Sequence, residues 1–190
     1  MSTFSVDDRY DCSVPTLHAT VTNADYLQVK FPAIGFRDVV VVAADPTRVQ
    51  TRRTVSAPLP GFARRVLGET QTVTQVEDWT ATPERAEGTF TAHATGTPIR
   101  ITGTMLIEPA VDGPDQANGL PPASNEPSAA RGADATGGAH GAGCVLRIRG
   151  DVVAKVPLIG GKIADLVAAE AGKTLAREYA FTQRWLADHP

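Results

Sequence analysis

Hydrophobic and polar residues alternate with a period of two through most of the chain, and the period becomes helical only after Pro157. In Ala86 to Ala94 one face carries Ala86, Gly88, Phe90, Ala92 and Ala94, and the other Glu87, Thr89, Thr91 and His93. Ile99, Ile101, Gly103, Met105 and Ile107 share a face, and Cys144, Leu146, Ile148, Val152 and Ala154 oppose Arg147, Arg149, Asp151 and Lys155. Glu69 to Thr80 alternates as well, with Val73, Glu77 and Trp79 on one side. This pattern predicts half-buried antiparallel strands, each with one face on a core. Phe4 to Tyr10, the β-branched run Phe36 to Ala44, and Arg48 to Ala57 beyond the Asp45-Pro46 turn bring the expected strands to seven.

Two short helices are expected between the first and second strands, over Val14 to Lys30. Ser13 is placed as an N-cap with Pro15 in the first turn, and Thr22-Asn-Ala-Asp25 reads as a second start with its acid in a capping box. Pro32 ends that helix. Phe62 to Leu67 has room for one helical turn. From Leu158 to Asp188 a stripe of Ile159, Ile163, Leu166 or Val167, Leu175, Tyr179, Thr182 and Leu186 predicts a long amphipathic helix. Roughly 30 residues at ~1.5 Å each span ~45 Å, against ~33 Å for a ten-residue strand, so this helix crosses a whole sheet. The class is α+β, in the order strand, two helices, six strands, helix.

Composition adds limits. The 190 residues carry 42% hydrophobic and 21% charged residues, which suits one globular domain over residues 1–190. A net charge of −3 argues against nucleic-acid binding. The N-terminal acids Asp7 and Asp8 do not suit a secretory leader, and no apolar run approaches a membrane span, so a cytoplasmic location is expected with room only for transient membrane contact. Pro109 to Gly143 holds seven of the 17 glycines and five of the 14 prolines and no Ile, Phe, Tyr or Trp. It reads as a disordered Gly/Pro-rich loop (109–143) inserted between the last two strands, a cheap insertion because loop entropy grows slowly with length.

The element order is similar to the helix-grip fold of the START, polyketide-cyclase and pollen-allergen superfamily. Local stretches resemble a family of uncharacterised bacterial proteins within it: Arg9-Tyr-Asp with Asn23-Ala-Asp-Tyr26, Leu59-Pro-Gly-Phe62, Glu77-Asp-Trp79, Gly96-Thr-Pro98 followed by Gly103-Thr104, and Val156-Pro-Leu-Ile-Gly-Gly-Lys162. These are turns and strand ends, so they speak to fold more than to activity. The resemblance implies a sheet gripping the last helix and an apolar or lipid-like ligand between them. It assigns no reaction.

Candidate chemistry is sparse. Gly172-Lys-Thr174 has Val167 where a phosphate-binding loop requires glycine, and it lies inside a helix. His18, His93, His140 and His189 share no ligand spacing, and Cys12 and Cys144 form no metal or redox motif. No metal, cofactor or catalytic residue is therefore assigned. A sheet wrapped on one helix leaves a gap where inner residues are small, as they are along Ala86 to Ala94. The expected wall of such a cavity is Val73, Trp79, Phe90, Ile101, Met105, Ile163, Val167 and Tyr179, with Arg53 and Glu77 as polar groups facing in. An inward Glu77 needs a partner such as Arg53 or a raised pKa; on an exposed strand end it is simply solvated. The helix stripe either closes a solid core or lines the pocket. The function expected is non-catalytic binding or carriage of a small hydrophobic or lipid-like molecule. A polyketide cyclase/dehydratase-type enzyme and a solid-core interaction module are the alternatives, and the oligomeric state stays open.

Overall fold

Period-two alternation resolves into strands whose apolar faces all lie on one side of a single sheet. The structure, a computed structural model, describes residues 1–56, 60–110 and 143–189. Its elements are β1 (Ser2–Tyr10), α1 (Val14–Val21), α2 (Ala24–Ala33), β2 (Arg37–Asp45), β3 (Arg48–Ser56), α3 (Gly61–Leu67), β4 (Thr70–Ala81), β5 (Ala86–Ala94), β6 (Ile99–Pro109), β7 (Cys144–Ala154) and α4 (Gly160–Asp188). The seven strands hydrogen-bond in the order β1-β7-β6-β5-β4-β3-β2, each neighbouring pair antiparallel. The curved sheet holds the long C-terminal helix, which is the helix-grip arrangement. Residues 111–142, nearly all of the expected loop, lie outside the described residues. In the β6–β7 pair Pro109 lies opposite Cys144, and Ala110 N–H donates to the Gly143 carbonyl at 2.6 Å.

Helix ends follow their local chemistry, with three corrections. Ser13 caps α1 by accepting from Thr16 N–H at 3.2 Å. Thr22 does not cap α2, because its hydroxyl donates to the His18 carbonyl at the end of α1. Asn23 caps α2 instead, accepting from Tyr26 N–H at 3.0 Å, and Asp25 stands in the first turn, where the helix dipole favours an acid. Helix α2 also continues past Lys30 to Ala33, since Pro32 near a C-terminus forfeits only one intrahelical bond. α4 begins at Gly160 rather than Leu158, which adopts a φ of 66°. Gly160 packs against the Ala154 carbonyl so closely that a Cβ would collide with it. That contact fixes how α4 enters the concavity.

The register of the inner face explains why sheet and helix stay apart. Phe4, Gly150, Gly103, Phe90, Glu77 and Val49 form one row straight across the strands. A Cβ on Gly103 would lie 2.6 Å from Phe90 Cε1, and one on Gly150 2.6 Å from Phe4 Cε1. Both rings therefore lie over a neighbouring glycine, close to the sheet. Trp79 does the same over Gly88, where a Cβ would be 2.8 Å from Cδ2. Three large aromatics are flattened on the sheet in this way, and none of them fills the gap to α4.

Candidate functional site

The gap is a cavity of about 270 Å³ between the inner sheet face and α4. Its apolar wall is built from Val73, Phe90, Ala92, Ile101 and Met105 on the sheet and Leu166, Val167 and Ala171 on the helix. Trp79 completes that wall beside Met105. Ala92 and Ala94 leave room because their short side chains face directly into the concavity from β5.

The opposite wall is polar, and its parts come from four elements. Arg53 (β3) donates from Nη1 to Thr51 Oγ1 at 2.8 Å and from Nη2 to Gln75 Oε1 at 2.6 Å. Gln75 (β4) passes the chain on, donating to Glu77 Oε1 at 2.7 Å, and Trp79 Nε1–H donates to Glu77 Oε2 at 3.1 Å. Lys30 (α2) pairs with Glu178 (α4) at 2.8 Å. The guanidinium carbon of Arg53 lies 4.5 Å from the Phe31 ring centre and 5.0 Å from that of Phe36, so aromatic faces hold the cation in place.

Burial governs the protonation of these groups. It pushes the Glu77 carboxyl up, against the opposing pull of Lys30 and the donors Trp79 and Gln75. It also lowers the Arg53 pKa, partly offset by Glu178 and Glu77. Desolvation works against the Lys30 ammonium too, but Glu178, Tyr26 and Glu77 outweigh it and leave its pKa raised. Close by on β1, Asp8 faces α4, and burial, Asp7 and Glu178 raise its pKa to about 6. Two buried side-chain nitrogens among the described residues have no partner: Arg53 Nε and His18 Nε2. The His18 ring packs edge-on against Trp79 at 5.4 Å, and burial lowers its pKa.

A sequence profile described as a protein of unknown function (DUF2505) matches residues 5–119 and 122–186. The chain belongs to this family. No curated protein matches. Among solved structures, TTHA0849 from Thermus thermophilus superposes with a TM-score of 0.57 at 13% identity, each chain covered over 100%. A conserved protein from Geobacillus kaustophilus gives 0.52 at 10% identity, covering 98% of this chain and 94% of its own. Ara h 8.0201 gives 0.51 at 11% identity, covering 95% and 96%. At these identities the likeness shows the fold alone.

In this DUF2505 member the cavity brings together Val73, Trp79, Phe90, Ile101, Met105, Val167, Arg53 and Glu77. Ile163 and Tyr179, expected on the same wall, are elsewhere. Ile163 is fully buried at the start of α4, in a cluster with Leu67, Ile99, Val152 and Ala164 that closes the core below the cavity. Tyr179 turns towards the sheet edge, where its hydroxyl donates to the Arg9 carbonyl at 3.0 Å and its ring meets Tyr10 edge-on at 5.3 Å. Lys30, Gln75 and Glu178 went unmarked as site residues in the sequence. Each nevertheless falls in phase with apolar residues: Lys30 with Tyr26, Leu27, Phe31 and Ile34, Gln75 with Val73 and Trp79, and Glu178 with Leu175 and Phe181. Among the described residues no helix is long and apolar enough to cross a membrane.

Proposed function

We propose that the protein binds and carries a small hydrophobic or lipid-like molecule in this cavity without transforming it. The observation that carries the reading is the volume itself, about 270 Å³ with a mostly apolar lining. At ~24 cal/mol per Å³ an empty apolar hole of that size would cost ~6 kcal/mol, comparable to the ~5–15 kcal/mol stability of a whole domain. Occupation by water or ligand relieves that cost. Val73, Trp79, Phe90, Ile101, Met105 and Val167 are the proposed contacts for the apolar body of the ligand, and Arg53 and Glu77 for its polar end. Resemblance to the START, polyketide-cyclase and pollen-allergen superfamily supports the same role. The same reading places the protein in the cytoplasm, where Cys12 and Cys144 would stay reduced.

Convergence of Arg53, Gln75, Glu77, Lys30 and Glu178 on one wall favours a second reading, an enzyme of the polyketide cyclase/dehydratase type with Glu77 as the acid or base. Native mass spectrometry of protein purified under mild conditions tests the carrier reading. A co-purifying apolar species, released unchanged by organic solvent, is the expected result. Protein that never retains or takes up an apolar compound would count against it.

A further inference from the structure

Arg53 is only 7% exposed, yet both of its hydrogen bonds go to neutral oxygens, those of Thr51 and Gln75. Its Nε–H has no partner among the described residues. Lys30, the other cation on the wall, has Glu178 at 2.8 Å. Buried charges in folded proteins are ordinarily paired, because an uncompensated one forfeits its hydration for nothing. Arg53 is also held in place, packed against the edge-to-face pair Phe31 and Phe36 and tethered at both Nη atoms. A guanidinium held this way, with free N–H groups beside an apolar cavity, matches a planar anion.

We propose that the ligand is a monocarboxylate amphiphile whose head group pairs with Arg53 and whose tail lies along Val73, Ile101 and Val167. This rests on the cavity being a ligand site, as proposed above. If a methylene takes about the room of a water molecule, ~30 Å³, the space admits a ligand of roughly ten non-hydrogen atoms. Charge balance on the wall turns on Glu77. The groups facing Glu77 are Lys30 and Tyr26 from α2, Arg53 from β3, Gln75 and Trp79 on its own strand, and Glu178 from α4. With Glu77 ionised, two cations face two carboxylates. Burial favours the neutral form of Glu77, and an incoming anion favours it further. Once Glu77 holds a proton, the wall has one positive charge in excess, which the ligand carboxylate neutralises.

Isothermal titration calorimetry with octanoate, octanol and methyl octanoate separates this inference from the cavity reading. The wild-type protein is expected to bind octanoate roughly tenfold or more tighter than either neutral analogue, the worth of one charge-assisted hydrogen bond. Arg53→Met should erase that preference while the neutral ligands still bind. Should Arg53→Met not fold, the comparison in the wild-type protein decides alone. Equal binding of all three ligands, or a preference for the neutral pair, overturns the carboxylate inference and leaves the cavity reading standing. Failure of all three to bind overturns both.

Discussion

Glu77 and Asp8 are carboxyls that the fold turns inward, and their linkage to stability has a definite sign. Each has a native pKa raised by burial, Asp8 from 3.8 to about 6 and Glu77 above 4.5. Over the interval between the two values the native state keeps a proton that the unfolded chain has lost. Stability contributed by these groups is therefore full below the unfolded value and declines as pH rises through the native one. Asp7 and Asp45 act in the opposite sense at lower pH, because their partners lower their pKa values below 3.8. Denaturant unfolding of Asp8→Asn should show the decline between about pH 4 and 6 reduced. For the whole Asp8 shift, ~3 kcal/mol is an upper figure; partial exposure cuts it to ~1 kcal/mol at neutral pH. An unchanged pH profile in Asp8→Asn and Glu77→Gln together would rule out proton-linked burial of these groups. Both were legible in the sequence as acids in phase with an apolar face, since Asp8 alternates with Val6 and Tyr10 and Glu77 with Val73 and Trp79. Of the two, only Glu77 draws attention as a candidate inward-facing acid, with solvation on an exposed strand end as the alternative. What the sequence left open was the partner. Arg53 reaches Glu77 only through Gln75, a relay fixed by strand register.

At the scale of elements, periodicity placed the seven strands and the long helix, because each buries one face and each period is distinct. The division of the α4 stripe between core and cavity was not legible. Two positions on one helical stripe face different neighbours once the helix is ~44 Å long and crosses a curved sheet. Ile163 meets β6 and β7 where they come close to the helix, while Val167, one turn on, meets the open space. Flattening of Phe4, Phe90 and Trp79 over glycines likewise depends on which residues pair across strands, and local pattern does not encode that. Ile163→Ala should accordingly cost ~2–5 kcal/mol in urea unfolding without altering the affinity for an apolar ligand. A loss of affinity out of proportion to the loss of stability would put Ile163 on the cavity wall after all.

For the whole molecule the open question from sequence was whether sheet and helix close into a solid core or leave a chamber. The structure has a chamber of about 270 Å³, apolar along β5, β6 and α4 and polar where Arg53, Gln75, Glu77 and the Lys30–Glu178 pair meet. The direct test is to fill it. Ala92 is buried, faces the cavity between Gln75 and Ile101, and has space above it. Titration of octanoate into Ala92→Phe, alongside its thermal unfolding, should show binding abolished with the melting temperature unchanged or raised, because the new ring occupies existing space. Destabilisation by the ~1–3 kcal/mol typical of overpacking would mean that the space above Ala92 is not open, and a variant that binds octanoate as the wild-type protein does would mean that the chamber is not where the ligand goes.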